Sequence, residues 1–232
     1  MQADDRPIHF STELLHTPRS HTLPALQKLY YELSQTRHAN YLGTDFSPNA
    51  PPRFFTKRGK KTQSITAFLP DRILIAEEWV DIPLAGFLDR VETIADHAGR
   101  ELGISTFAAQ SVTIRTTFAL SHFDDARSYL FDKMCGLEHK LGPHIGRPIG
   151  VGGLRLVLPE TPEHPGALHV TIESYRFSRN EVFVEVKGVF ARPIPTDSIV
   201  VLRDNTRVVR DFIGGNIYPY LAQFDVPVGD TL

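Results

Sequence analysis

The chain has 232 residues, a single cysteine and a formal net charge of −2. That length fits one large domain or two small ones, and it buries enough surface to fold without disulfide staples. The charge argues against bulk nucleic-acid affinity, and no apolar run approaches the roughly 20 residues of a membrane span. Cys135 has no internal disulfide partner, and residues 1–25 lack the apolar core of a secretory leader. Both features point to the cytoplasm.

Ile8, Phe10, Thr12 and Leu14 alternate with His9, Ser11 and Glu13, the period of a half-buried strand. Thr22 then caps a helix with Pro24 in its first turn and Leu23, Leu26, Leu29, Tyr30 and Leu33 on one face. A loop over 40–52 leads to three strands, 53–56, 62–69 and 72–79, with Pro70-Asp71 as the second turn. Asp81 is placed to cap a helix carrying Leu84, Phe87, Leu88, Val91, Ile94 and Ala98, which Gly99 and Gly103 stop. Trp79, between strand and helix, reads as a core anchor.

From Val112 the same order runs again. Val112, Ile114, Thr116, Phe118 and Leu120 alternate in a long strand. Asp124 or Ser121 caps a helix with Ala126, Tyr129, Leu130, Met134 and Leu137, and a glycine-rich loop over 142–153 follows. Strands at 154–158, 168–177 and 182–190 precede a helical face of Leu202, Val209, Phe212, Ile213, Ile217 and Leu221. The pattern predicts an α+β protein of two tandem β-α-β-β-β-α pseudo-repeats, mainly antiparallel, with helices on one face. Residues 1–105 form the first unit, 106–225 the second and 226–232 a loose tail, the units being fused into one body.

Two surfaces are candidates for function. Arg53, Lys57, Arg58, Lys60 and Lys61 gather on a hairpin with Phe54 and Phe55, cations and rings together as in single-strand binders. A solvated hairpin whose phenylalanines enter the core explains the same residues. The second surface is the sheet face away from the helices. Alternation puts Leu154, Leu156, Val170, Ile172, Val184 and Val186 toward the helices. Arg115, Arg155, His169, Glu173, Tyr175, Glu185 and Lys187 then lie on the open side, joined from the first half by His9, Ser11, Glu13, Ser64 and Thr66. A three-residue loop, Ser178-Arg179-Asn180, would set Glu173 opposite Glu185. Opposed carboxylates raise one pKa, so Glu173 and Glu185 are the catalytic candidates.

Other motifs are missing. The 142–153 loop is followed by neither Lys-Ser/Thr nor a helix, so it is neither a Walker loop nor a dinucleotide fingerprint. The histidines show no zinc spacing, and the pairs His16/His21, His139/His144 and His164/His169 read as solvated. Cys135 reads as a buried inert thiol. Neither a metal nor a cofactor is expected.

Pro70-Asp71-Arg72-Ile73, then Trp79, the Phe87 helix and Gly103-Ile104, carry a resemblance. The chain resembles a sporadically distributed family of uncharacterised bacterial proteins of similar length, whose members look like two copies of a strand–helix–strands–helix unit. Where that family has Arg-Tyr-Ile-Asn, this chain reads Gln110-Ser111-Val112-Thr113-Ile114-Arg115-Thr116. The resemblance implies no activity. At fold level the order is similar to the saddle of TATA-binding proteins, though minor-groove binders need a positive field that this chain lacks.

The leading expectation is a cytosolic binding or assembly module that uses the open sheet face or the cleft between the units. A protein partner or self-association comes first, a small molecule second; nucleic acid is disfavoured and a membrane excluded. The alternatives are an enzyme using sheet-face carboxylates and a nucleic-acid binder using the 53–61 hairpin.

Overall fold

The computed structural model describes residues 6–137 and 140–227. Most of the expected tail lies outside them, as does His139. Strand β1 (Arg6–Leu15) buries Phe10, Thr12 and Leu14 and leaves His9 and Glu13 half-buried. Helix α1 (Leu23–Gln35) starts at Thr22, whose hydroxyl accepts from the Ala25 amide, and it buries Leu26, Leu29 and Leu33. Strands β2 (Gly43–Asp45), β3 (Arg53–Lys57), β4 (Gln63–Leu69) and β5 (Arg72–Glu78) precede α2 (Leu84–Leu102). The second half holds β6 (Thr106–Phe107), β7 (Ala109–Ala119), α3 (Ala126–Ser128), α4 (Leu141–Ile145), β8 (Gly153–Leu158), β9 (Ala167–Ser174), β10 (Glu181–Phe190), β11 (Ile194–Pro195), α5 (Val200–Phe212) and α6 (Tyr218–Ala222).

The protein is α+β, and its main sheet is antiparallel. Nine strands run in the order β2-β3-β4-β5-β1-β7-β10-β9-β8, while β6 and β11 pair separately. Two long strands, β1 and β7, pair at the middle of the sheet. Outward from them lie β5, β4 and β3 on one side and β10, β9 and β8 on the other. One hydrophobic cluster runs under both halves, from Leu26, Phe54 and Phe87 to Val184, Leu202 and Val209. Helices α1, α2 and α5 pack on that side, which leaves the opposite face open.

Several local expectations need correction. Asp81 does not cap α2: the cap position is Pro83, and Asp81 accepts instead from Arg58. Gly99 lies inside that helix rather than at its end. Gly103 closes it at φ 64, a left-handed conformation that glycine adopts without strain. Asp125, not Asp124 or Ser121, caps α3 by accepting from the Arg127 amide at 2.9 Å. That helix turns at once into a π segment, Tyr129–Met134.

The last helix is also interrupted, by a π segment at Ile213–Ile217 before Pro219. Proline has no amide to donate to the preceding turn, and a widened turn accommodates the freed carbonyl. Leu154 packs against the core, but Leu156 is 43% exposed although its ladder partner Val170 is buried. The reason is position: β8 is the sheet edge. His16 is buried, not solvated, with its Nε2 unpartnered. Cys135 is only half-buried.

Candidate functional site

Ladder partners place Lys57, Gln63, Glu78, His9, Arg115, Glu185, Thr171 and Arg155 in one row across the open face, from β3 to β8. Opposite charges alternate along it, the favourable arrangement for cross-strand neighbours. Beside the middle of this row lies a cleft of about 450 Å³. Small-molecule pockets run from roughly 300 to 1,000 Å³.

Chain irregularities shape the cleft. The β1–β7 ladder slips between Pro7 and His9, so Ile8 is an extra residue that lines the cleft. Such bulges re-aim side chains at functional edges. Trp79 follows β5 with φ 49, and its amide donates to the Ile8 carbonyl at 2.8 Å. A bulky residue held left-handed costs about 1–2 kcal/mol. The conformation turns the indole into the cleft wall, 36% exposed.

The facing wall comes from the β9–β10 hairpin. Tyr175 stacks on Phe183 with ring centres 6.1 Å apart and meets Phe177 edge-on at 5.4 Å. Lys61 reaches over between the walls, its Nζ 4.5 Å from the Trp79 ring centre and 5.6 Å from that of Phe177. Arg176 also lies over Phe177, at 4.5 Å.

On the floor, Arg115 Nε donates to Glu185 Oε2 at 2.5 Å. Burial, with the neighbouring Arg115 charge, lowers the His9 pKa to about 4, so its ring is neutral at pH 7. Glu78 accepts from Gln63. Among the described residues, the Glu173 carboxylate has no hydrogen-bond or ion-pair partner.

The expected Glu173–Glu185 opposition does not form. Glu173 pairs with Phe183, and Glu185 sits between Thr171 and Arg115. The hairpin loop is longer than expected: β9 ends at Ser174, and the Tyr175 amide donates to the Glu181 carbonyl at 2.9 Å. Arg115 pairs with Glu185 instead, and the two carboxylates stand on different ladder rows.

The basic hairpin differs as well. Arg53 is bound to Asp45, with Nη2 at 2.8 Å from Oδ2. Arg58 folds inward to Ser64, Asp81 and Glu77, its Nη2 lying 2.8 Å from Glu77 Oε2. Glu77 is fully buried and also accepts from Ser64 and from Arg90 of α2. A buried carboxylate needs such partners, and it draws the Arg58 guanidinium toward it. Phe54 is core. Lys57 leans over Phe55 at 5.7 Å and Lys60 is exposed, and among the described residues the lysines of this hairpin carry no ion pair.

The cleft thus unites Arg115, Glu173, Tyr175 and Glu185. Arg155, His169 and Lys187 share the open face but lie outside it, with Lys187 and His169 paired in the next row. The sequence reading missed Trp79, Phe177 and Phe183 as site residues. Phe183 has the same strand parity as Glu185, and that signal marked it for the open face. Nothing in the sequence announces the left-handed turn that takes Trp79 out of the core.

The chain matches no protein-family model and no curated protein. Among the described residues, no group of three or more His, Cys, Asp or Glu side chains could hold a metal ion, and no helix is long and apolar enough to cross a membrane.

Proposed function

We propose that the protein is a binding module whose ligand seats in the open-face cleft between the two halves of the sheet. The observation that carries this reading is the aromatic wall of Trp79, Tyr175, Phe177 and Phe183 set over the Arg115–Glu185 pair. Apolar walls with a few convergent polar groups are what small-ligand sites require. Backbone strain at Trp79 adds weight, since strain of this kind concentrates where function needs it. Trp79 is the one tryptophan of the chain, so its emission reports occupancy directly. A panel of organic cations, carboxylates, nucleotides and sugars is expected to contain a member that changes this emission saturably, with the change lost in Phe177→Ala. No response across the panel would contradict the proposal.

A second reading, compatible with the first, rests on β8. This edge strand exposes Leu156, Val157 and Leu158 at 43, 57 and 37%, whereas the other edge, β2, has only three residues. Antiparallel pairing of β8 with a second copy, centred on Leu156, sets Leu154 opposite Leu158 and Arg155 opposite Val157. No two arginines then face each other. Sedimentation should show a concentration-dependent dimer that Leu156→Lys abolishes; a monomer at all concentrations would contradict it.

A further inference from the structure

We infer that the group this cleft recognises is an alkylammonium cation, and that Lys61 occupies its position in the unliganded protein. The inference rests on the binding-module reading and names the chemistry of that ligand.

The walls come first. An indole face is the strongest aromatic partner for a cation, and cages of several rings are the recurring device for holding quaternary ammonium groups. Here the rings of Trp79 and Phe177 both lie close to the same ammonium, that of Lys61, at 4.5 and 5.6 Å. Lys61 is not itself a lining residue, but its ammonium rests against two of the rings that line the cleft. Lys61 is exposed and sits in the turn between β3 and β4. It is held by ring faces rather than by an ion pair, so an incoming cation displaces it without breaking a salt bridge.

Charge agrees. Three carboxylates line the cleft, Glu78, Glu173 and Glu185, against two guanidiniums, Arg115 and Arg176. With His9 neutral at pH 7, the lining carries a net charge of −1. Arg115 is paired with Glu185, and Glu173 stands beside the aromatic wall without a partner among the described residues. An anionic ligand would meet Glu173 unscreened; a cation meets a ring face and a free carboxylate.

Two sources carry an alkylammonium group: a free small molecule, and a lysine or methylated lysine of another protein. Calorimetry on the intact protein separates them with choline, a short trimethyllysine peptide, and the uncharged isostere of choline in which carbon replaces the quaternary nitrogen. Choline or the peptide is expected to bind saturably, the isostere at least tenfold more weakly. Tighter choline assigns a small molecule and a tighter peptide assigns a protein side chain; either supports the inference. Lys61→Ala removes the internal competitor and should tighten cation binding about threefold, the size of an exposed cation–π contact. Phe177→Ala, at a 60% exposed ring, should weaken it without unfolding the protein. Equal affinity for choline and its isostere overturns the inference, as does absence of cation binding in both wild type and Lys61→Ala. Should an anionic or neutral compound alone change Trp79 emission, the cation assignment falls while the cleft remains a binding site.

Discussion

Lys61 holds its ammonium nitrogen 4.5 Å from the ring centre of Trp79, at the cleft on the open face of the sheet. The two residues flank the β4–β5 hairpin in sequence, and Trp79 leaves β5 in a left-handed conformation. A local backbone feature of one residue accompanies one wall of the cleft, the other being built by Tyr175, Phe177 and Phe183.

That feature can be isolated. Trp79→Ala and Trp79→Gly both remove the indole, but only glycine adopts φ 49 without penalty. The glycine variant should be about 1 kcal/mol more stable than the alanine variant in urea unfolding. Equal stabilities would mean that the turn relaxes once the ring is gone.

Glu77 is the electrostatic keystone of the first half, buried beneath Arg58, Arg90 and Ser64. Glu77→Gln leaves Arg90 buried against no carboxylate, and removing one member of a buried pair costs about 3–5 kcal/mol. Chemical denaturation measures that loss. A loss under 1 kcal/mol would show that Arg58 and Arg90 find other partners.

The pH dependence follows from His9, whose pKa falls from 6.5 to about 4 on folding, through burial first and the Arg115 charge second. Between those values the unfolded chain takes up a proton that the folded protein refuses. Stability from this group is complete above pH 6.5 and is lost as pH falls toward 4, with a ceiling on the order of 3 kcal/mol. Melting curves over that window should be flatter for His9→Gln than for wild type. Parallel curves would mean that His9 titrates normally.

Helix α5 sits directly on β10 at Gly188. A methyl there would lie 2.6 Å from Val209 Cγ2 and 2.9 Å from Phe190 Cε2. Gly188→Ala should therefore destabilise the protein by about 1–3 kcal/mol, the usual result of overpacking. An unchanged midpoint in thermal unfolding would show that α5 shifts to make room.

Strand parity made much of this legible. Alternation in β7, β9 and β10 assigns the core and open sides correctly, because a one-residue slip would exchange every side chain between them. It therefore found Arg115, Tyr175 and Glu185. It fails at Ile8, which the β1 bulge turns to the cleft, and in β4, where Ser64 and Thr66, expected on the open side, are fully buried. What parity cannot supply is the pairing between strands: Glu173 faces Phe183 because the 175–180 segment loops out beyond Ser174. Nor does composition reveal that Arg58, in a run of basic residues, is drawn inward by a carboxylate distant in sequence. The Trp79 turn and the Ile8 bulge are departures from regular structure, and the cleft is built from both.

The most direct test of the cleft as the ligand site is the indole Nε1–H signal of Trp79, the single tryptophan, in a two-dimensional nitrogen–proton spectrum. Mixtures of small organic ions and neutral fragments are added to the labelled protein. Compounds that bind are expected to move this signal together with the backbone amides of Tyr175, Arg176 and Phe177, and to leave those of α1 and α5 in place. Binding that shifts helix-side amides while the indole signal stays still would contradict the cleft as the ligand site.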